Sequence, residues 1–516
     1  MCLLDPFNIT ELPEILPLLI PIFTKIINAC FNLGVFPSTE KVALVKPLLK
    51  KPSLDKENLK NYRPVSNLTF LSKLIEKAML NQLLPHFDNN KSISDFQSAY
   101  RKNHSTETAL CRIYNDLILN ITNYKLVLLI LLDLSAAFDT IDHDLLIKDL
   151  EESGIKGKAL LLLISYIKKR FQKVSLKDSI SQNSELLYGV PQGSVLGPVL
   201  FSLYSSKLAK IMSAHGVQYH LYADDTQIYM PISDILTSKE KLTSIMSDIK
   251  LWMHERKLKL NEGKTEVILI KGSFTTNQDM QIDNFKFIDN CQTSESTRNL
   301  GLIIDSKLSF RNHFNSVIKN CNYQLRRLSL IAKYLDKTSA TSLIHAFITS
   351  RVDYCNSMFV NLPNKDLARL QSIRNRSARL IFNLAPFTST SSYLFELHWL
   401  PVKARIEFKV CLLVYKALNN NQPIYLLELL QRYVPQSNAI LRSADDPHLL
   451  VIPRLENRSS IGMRAFSYAG PVLFNELPIN IKNSGTIETF KKLLKTHLFK
   501  KAYDSATKSI SVEYKT

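Results

Sequence analysis

Three aspartates stand in settings where a carboxylate needs a reason. Asp133 closes seven consecutive apolar residues, 126–132, in KLVLLILLDLSAAFD, which predicts a strand buried on both faces that delivers one carboxylate at its end. Asp224 and Asp225 lie in GVQYHLYADDTQIYMPI, where Val217, Tyr219, Leu221 and Ala223 alternate before the pair and Thr226, Ile228 and Met230 resume after it. That pattern predicts a hairpin with two adjacent acids at its turn. Ordinary alternatives exist, since an Asp can end a strand in solvent or cap a helix and favours turns through its own backbone hydrogen bonds. Adjacent acids between hydrophobic strands repel each other, however, and a divalent cation removes that cost. Three carboxylates on neighbouring strand ends would offer hard oxygen ligands to a pair of Mg²⁺ ions, with Mn²⁺ as an alternative. Such ions would clamp the attacking and leaving oxygens of an in-line phosphoryl transfer. Polymerases, nucleases and cyclases share such ligands, so the acids point to a reaction type before they point to a substrate.

Periodicity predicts the elements that must hold these acids. Residues 1–40 carry Ile15, Leu18, Leu19, Ile22, Ile26 and Ile27 near helical spacing, ending at Gly34 and Pro37, which predicts a helical extension packed on the segment after it. Residues 41–305 alternate short apolar strands with helices, with turns marked by Pro and Gly as in GVPQGSVLGP at 189–198. Residues 306–384 turn helical and basic, and 385–516 give mixed signals, with a helix near Ala404–Leu418, a polar loop around Gln436–Pro447 and a lysine-rich helix near Thr489–Lys501. Neither an internal repeat nor a long low-complexity tract is present, which disfavours repeat architectures.

Composition bounds the partners. The chain has 516 residues, 45% apolar and 22% charged, the balance of a multidomain folded protein. A formal charge of +19 favours a polyanion, either nucleic acid or an acidic membrane surface. Seven scattered cysteines (Cys2, Cys30, Cys111, Cys291, Cys321, Cys355, Cys411) without a CxxC pair argue against a disulfide framework or a zinc site and for a reducing compartment. The N-terminus is acidic where a signal peptide would be basic, Pro13, Pro17 and Pro21 interrupt the apolar run after it, and the runs 125–132 and 159–167 are short. No membrane span and no export are expected.

Seven ordered blocks then carry a resemblance: NYRPVSNLTFLSKLIEK (61–77), DFQSAYRKNHSTETAL (95–110), LLDLSAAFDTIDHDLL (131–146), GVPQGSVLGPVLFSLY (189–204), LYADDTQIY (221–229), LNEGKTEVI (260–268) and NLGLIIDSKLSF (299–310). Their order and wording resemble the reverse transcriptases of LINE-type (non-LTR) retrotransposons, especially jockey-like elements. The resemblance implies an α+β right-hand polymerase with fingers, a palm with an antiparallel sheet and a helical thumb, followed by a mixed C-terminal region. It implies an RNA-directed DNA polymerase that extends a primer 3′-OH with dNTPs. Asp133, Asp224 and Asp225 would be the catalytic metal ligands. Phe138 would crowd the sugar 2′ position, its alternative being a core aromatic at a strand-to-helix junction. Gln192, Gly193 and Tyr222 would bind the nucleotide, with glycine permitting close backbone approach; a plain Pro-Gly turn is the alternative for the first two. Arg63 would grip the triphosphate through its guanidinium fork, unless it makes only surface salt bridges. Lys264 would protonate departing pyrophosphate, although Lys257 and Lys259 are close in sequence. Leu300-Gly301 resembles the block that steadies the primer terminus.

Asp139, Asp142 and Asp144 open the stretch DTIDHDLLIKDLEESG and read as acids at a helix N-terminus. In KDLARLQSIRNRSARLIF, Lys365, Arg369, Arg376 and Arg379 share one helix face, with Leu370, Ile373 and Leu380 toward another. The basic stripe would track a phosphate backbone or be a solvated face. Expected partners are RNA template, DNA primer, dNTPs and the element RNA as a ribonucleoprotein, in cytoplasm or nucleus; the sequence leaves oligomeric state open. Full-length relatives carry an endonuclease before the polymerase, and the start at Met1 reads as a truncated element without one, so integration is not expected. A catalytically inactive nucleic-acid-binding remnant is the rival reading.

Overall fold

The computed structural model describes residues 3–5, 11–124, 126–272, 292–434, 446–455 and 460–513, with side chains to 504. Cys2, Cys291 and most of the loop around Gln436–Pro447 lie outside them. The chain divides into two compact, discontinuous units: 1–100 with 132–226 and 240–265, and 101–131 with 227–239 and 266–516. The architecture is mixed α+β, with antiparallel and mixed sheets among the helices.

In the first unit the helix Leu12–Leu33 ends at Gly34 in the left-handed conformation, as the Gly-Pro punctuation predicts. It runs through Pro17 and Pro21, as the helical spacing of the apolar residues around them predicts. Among the described residues it is the one helix long and apolar enough to cross a membrane, by length and composition only. Its Phe23 and Cys30 are buried while Leu18, Ile20 and Ile22 are exposed. After it, the strand Val42–Leu49 is flanked by Tyr62–Asn67, antiparallel, and Arg170–Leu176, parallel. Arg170–Leu176 also pairs antiparallel with Ser184–Leu186. The helices Phe70–Asn89, His143–Glu152, Gly157–Ile167, Gly197–Tyr204 and Ser206–Ala214 belong to the same unit. Its hairpin of Gln218–Tyr222 and the start of Asp225–Ile232 is the one predicted around the acid pair.

In the second unit the strand Leu126–Leu132 pairs antiparallel with Glu266–Lys271, Leu131 opposite Glu266 and Leu126 opposite Lys271. The short strand Gln292–Thr293 joins the latter in parallel. Val127, Leu129 and Ile130 are fully buried and Leu128 nearly so; residues of both parities are inside, the pattern of a strand covered on two faces. The covering helix Thr106–Asn123 starts with a reciprocal cap between Ser105 and Thr108. Residues 306–384 include the helices Arg311–Ile331, Lys337–Ile344 and Asn364–Ile381, and beyond 385 the regular elements among the described residues are helices, joined by turns and by the isolated bridge of Arg432 with Leu450. Cys30, Cys111, Cys321, Cys355 and Cys411 are free and buried.

Candidate active site

The core strand Leu126–Leu132 ends one residue before Asp133, so the carboxylate emerges where apolar burial stops. A short antiparallel ribbon, Leu134 opposite Leu260 and Ser135 opposite Lys259, brings the 259–264 segment alongside. Asn261 then grips Asp133 twice: its backbone N–H donates to the Asp133 carbonyl at 2.8 Å and its Nδ2 to Oδ2 at 2.8 Å. The single 3₁₀ turn Glu262–Lys264 after it brings Lys264 Nζ to 3.6 Å from the same oxygen. Of the three lysines at 257, 259 and 264, it is Lys264 that pairs with Asp133.

The acid pair sits on a strained turn. Ala223 has φ +57°, a conformation costly for a residue with a Cβ, and Gln97 holds it there. The Gln97 Oε1 accepts from the backbone N–H of Ala223 and of Ala99, both at 3.0 Å, and its Nε2 donates to the Ala223 carbonyl at 3.3 Å. Phe96 and Ser98 add backbone bonds to Leu221. Gln97 carries no sequence signal of its own; a polar side chain that is 1% exposed is recognisable only once the strand beside it is known.

Electrostatically the acids are under-compensated. Burial first, then Asp133, push the Asp224 carboxyl above its ordinary range, while its backbone hydrogen bond, Arg63 and Lys264 pull it down. Burial, Asp224 and Asp133 push Asp225 to about 6. Arg63, exposed and opposite Leu48 on the strand Tyr62–Asn67, therefore brings its charge to bear on Asp224. The hydroxyl of Tyr100, an exposed residue at φ +61°, feels the same acid: its ionisation is opposed by burial, then by Asp224 and Tyr222. The donor set suits a hard divalent cation by charge and by oxygen chemistry. Among the described residues, however, no three acid, His or Cys side chains converge closely enough to hold an ion as they stand.

The third part of the site is the turn at 189–196. Phe138 stacks on Phe201, centroids 4.8 Å apart at 30°, and its carbonyl accepts from Val190 N–H at 3.0 Å. Gly193 has φ +126°, and a Cβ there would lie 2.5 Å from the Ser66 carbonyl oxygen; glycine is required on both counts. Ser66 N–H in turn donates to the Gln192 carbonyl at 2.7 Å. Gln192 Nε2 donates to both carboxylate oxygens of Asp139 at 2.8 Å, which corrects the helix-terminus reading of that residue. The helix is His143–Glu152; Asp142 caps it through the N–H groups of Asp144 and Leu145, and Asp144 pairs with Lys168 at 2.8 Å. Asp139 lies outside the helix and orients Gln192.

All of these groups, with Tyr222, belong to the first unit. Lys365, Arg369, Arg376 and Arg379 belong to the second. On the helix Asn364–Ile381, Lys365 and Arg376 are exposed and Arg369 and Arg379 partly so. Arg369 donates to Asn315 and Arg376 to Asn322, side chains of the packed helix Arg311–Ile331, while Arg379 is engaged at 3.0 Å with the Thr388 carbonyl. Leu300, at φ +43° and next to Gly301, has its carbonyl bonded by the Tyr354 hydroxyl at 2.6 Å.

Residues 49–304 match the family described as reverse transcriptase (RNA-dependent DNA polymerase). The chain is 26% identical over 342 residues to the RNA-directed DNA polymerase from mobile element jockey of Drosophila melanogaster, covering 65% of this chain and 36% of that protein. It is 26% identical over 310 residues to a probable RNA-directed DNA polymerase from transposon BS of the same organism, covering 59% and 34%. The chain thus spans about a third of the length of the curated relatives it matches. Apo telomerase from Candida tropicalis aligns at a TM-score of 0.41 with 12% identity, over 75% of this chain and 68% of that one. Residues 49–304, with the acid pair, the Asp133 strand end and the glycine turn inside them, are a reverse-transcriptase domain of the jockey-like non-LTR retrotransposon kind.

Proposed function

We propose that the chain is an RNA-directed DNA polymerase that extends a primer 3′-OH with dNTPs on an RNA template. The observation that carries this reading is the gathering of Asp133, on a strand end held by Asn261, with Asp224 and Asp225, on a turn held by Gln97, close enough that Asp133 and Asp224 raise the Asp225 carboxyl, in the same unit as the Gly193 turn that packs on Ser66. Asp133, Asp224 and Asp225 would hold two Mg²⁺ ions, which when bound supply charge neutralisation at the attacking and leaving oxygens. Arg63 would pair with the triphosphate. Lys264, which pairs with Asp133, would give a proton to the departing pyrophosphate. Phe138, backed by Phe201, would exclude a 2′-hydroxyl by collision, and Gln192, its amide nitrogen committed to Asp139, would present its oxygen as an acceptor. Tyr222 would line the nucleotide site. Lys365, Arg369 and Arg376 would track a phosphate backbone. RNA template, DNA primer and element RNA are the proposed partners, with assembly in the cytoplasm and synthesis in the nucleus.

The test is primer extension on an RNA template with dNTPs and Mg²⁺, beside Asp224→Ala. RNA-templated extension by the wild type alone, with equal RNA binding by both proteins, is expected. Equal binding and no extension by either would leave a nucleic-acid-binding remnant as the correct reading.

A further inference from the structure

Glu76, on the helix Phe70–Asn89, is a carboxylate with no solvent exposure. Burying such a group is unfavourable unless donors surround it. Four do. Its Oε2 accepts from the backbone N–H of Val195 at 2.6 Å and of Leu196 at 3.1 Å, and from the Tyr166 hydroxyl at 3.1 Å; its Oε1 accepts from the Ser72 hydroxyl at 3.2 Å. Arg170, 2% exposed, supplies an opposing charge. Its guanidinium lies 4.8 Å from the Tyr166 ring centroid and 5.8 Å from that of Phe36.

The two amides identify what this hub holds. Val195 and Leu196 stand at the start of the helix Gly197–Tyr204, whose N-cap residue, Leu196, makes no side-chain cap. Gly197 N–H is met locally by Ser194 Oγ at 3.0 Å, and Glu76 meets the two N–H groups before it from 119 and 120 residues away. A carboxylate suits that position because it answers both orphan donors and the positive end of the helix dipole. The same turn is pinned on its other side by Ser66, through Gln192 and Gly193. One short stretch, 66–76, thus contributes Ser66 and Glu76 to the two sides of the 192–196 segment.

We propose that Glu76 is a positioning residue for nucleotide binding, its carboxylate fixing the height of the Gln192-Gly193 turn. This rests on the reading of that turn as nucleotide-binding. The experiment is steady-state single-nucleotide extension by wild type, Glu76→Gln, Tyr166→Phe and Gln192→Ala, with thermal unfolding of each. Glu76→Gln is expected to raise the KM for dNTP about tenfold, the equivalent of one weakened charge-assisted bond, with kcat at saturating dNTP and the KM for primer–template little changed. Tyr166→Phe, which frees one lone pair without touching the amides, shifts the same KM in the same direction by less. Unchanged dNTP KM in Glu76→Gln and Tyr166→Phe while Gln192→Ala raises it would overturn the inference and leave Glu76 a fold element only. No KM change in Gln192→Ala would instead remove the reading of the turn. Should Glu76→Gln fail to fold, Tyr166→Phe decides by the same criterion.

Discussion

Neutralising Asp225 should stabilise the metal-free protein. Its carboxyl is pushed from the ordinary 3.8 to about 6 by burial, then by Asp224 and Asp133. The folded state therefore holds this proton more tightly than the unfolded chain does. The resulting stabilisation is complete below pH 3.8 and is lost as pH rises through 6. A gap of about 2 pH units corresponds to about 3 kcal/mol; Asp225 is crowded by its surroundings yet keeps part of its surface in water, and screening there reduces the expected effect to about 1–2 kcal/mol. Asparagine keeps the shape and removes the charge. In urea denaturation with EDTA at pH 7.5, Asp225→Asn should be more stable than wild type by that amount, with the difference vanishing toward pH 4. Millimolar Mg²⁺ should then stabilise wild type more than the variant, because only the wild type carries the full ligand charge. Equal stabilities at pH 7.5 in EDTA, or a gap that persists at pH 4, would refute the argument that burial and the neighbouring acids penalise the Asp225 charge.

Phe138→Ala should admit rNTPs, lowering discrimination against them by roughly tenfold or more, and Phe201→Leu should act in the same direction by less, both read as the ratio of kcat/KM for dNTP and rNTP. Gly193→Ala places a methyl 2.5 Å from the Ser66 oxygen at φ +126°, a strain of about 1–3 kcal/mol, and should raise the dNTP KM about tenfold or more. Replacing Lys365 and Arg376 together by Ala should weaken RNA binding across sequences and reduce the slope of log affinity against log salt by about 2. An unchanged slope would assign that face to solvent.

The features legible in the sequence are local. The seven-residue apolar run before Asp133, the alternation around Asp224-Asp225 and the Pro-Gly turn at 191–193 are periodicity and turn chemistry, readable in windows of ten residues. The partners that hold those features are not legible, because they are polar side chains far away in sequence. Gln97 reaches 126 residues to Ala223, Gln192 53 residues to Asp139, and Asn261 128 residues to Asp133. Asp139 passes for a helix-terminus acid because three acids near a helix start look alike until the cap, Asp142, is known. A signal for Glu76 does exist: it lies among Ile75, Met79 and Leu83, all buried, and a charge on an apolar helix face demands donors. Pro17 and Pro21 do not end the helix that the spacing of Ile15, Leu18, Leu19 and Ile22 predicts. A proline lacks one N–H and crowds one carbonyl, which bends a helix without ending it when the flanking residues keep helical spacing.

The most direct test measures incorporation of dTTP by purified protein on an oligo(dT)-primed poly(rA) template, with template binding measured on the same samples for wild type, Asp133→Asn and Asp224→Asn. Mg²⁺-dependent extension by wild type is expected, with loss of at least about a thousandfold in each variant and equal binding in all three. Extension by either variant at the wild-type rate would contradict this reading, as would a wild-type protein that binds the template and never extends it.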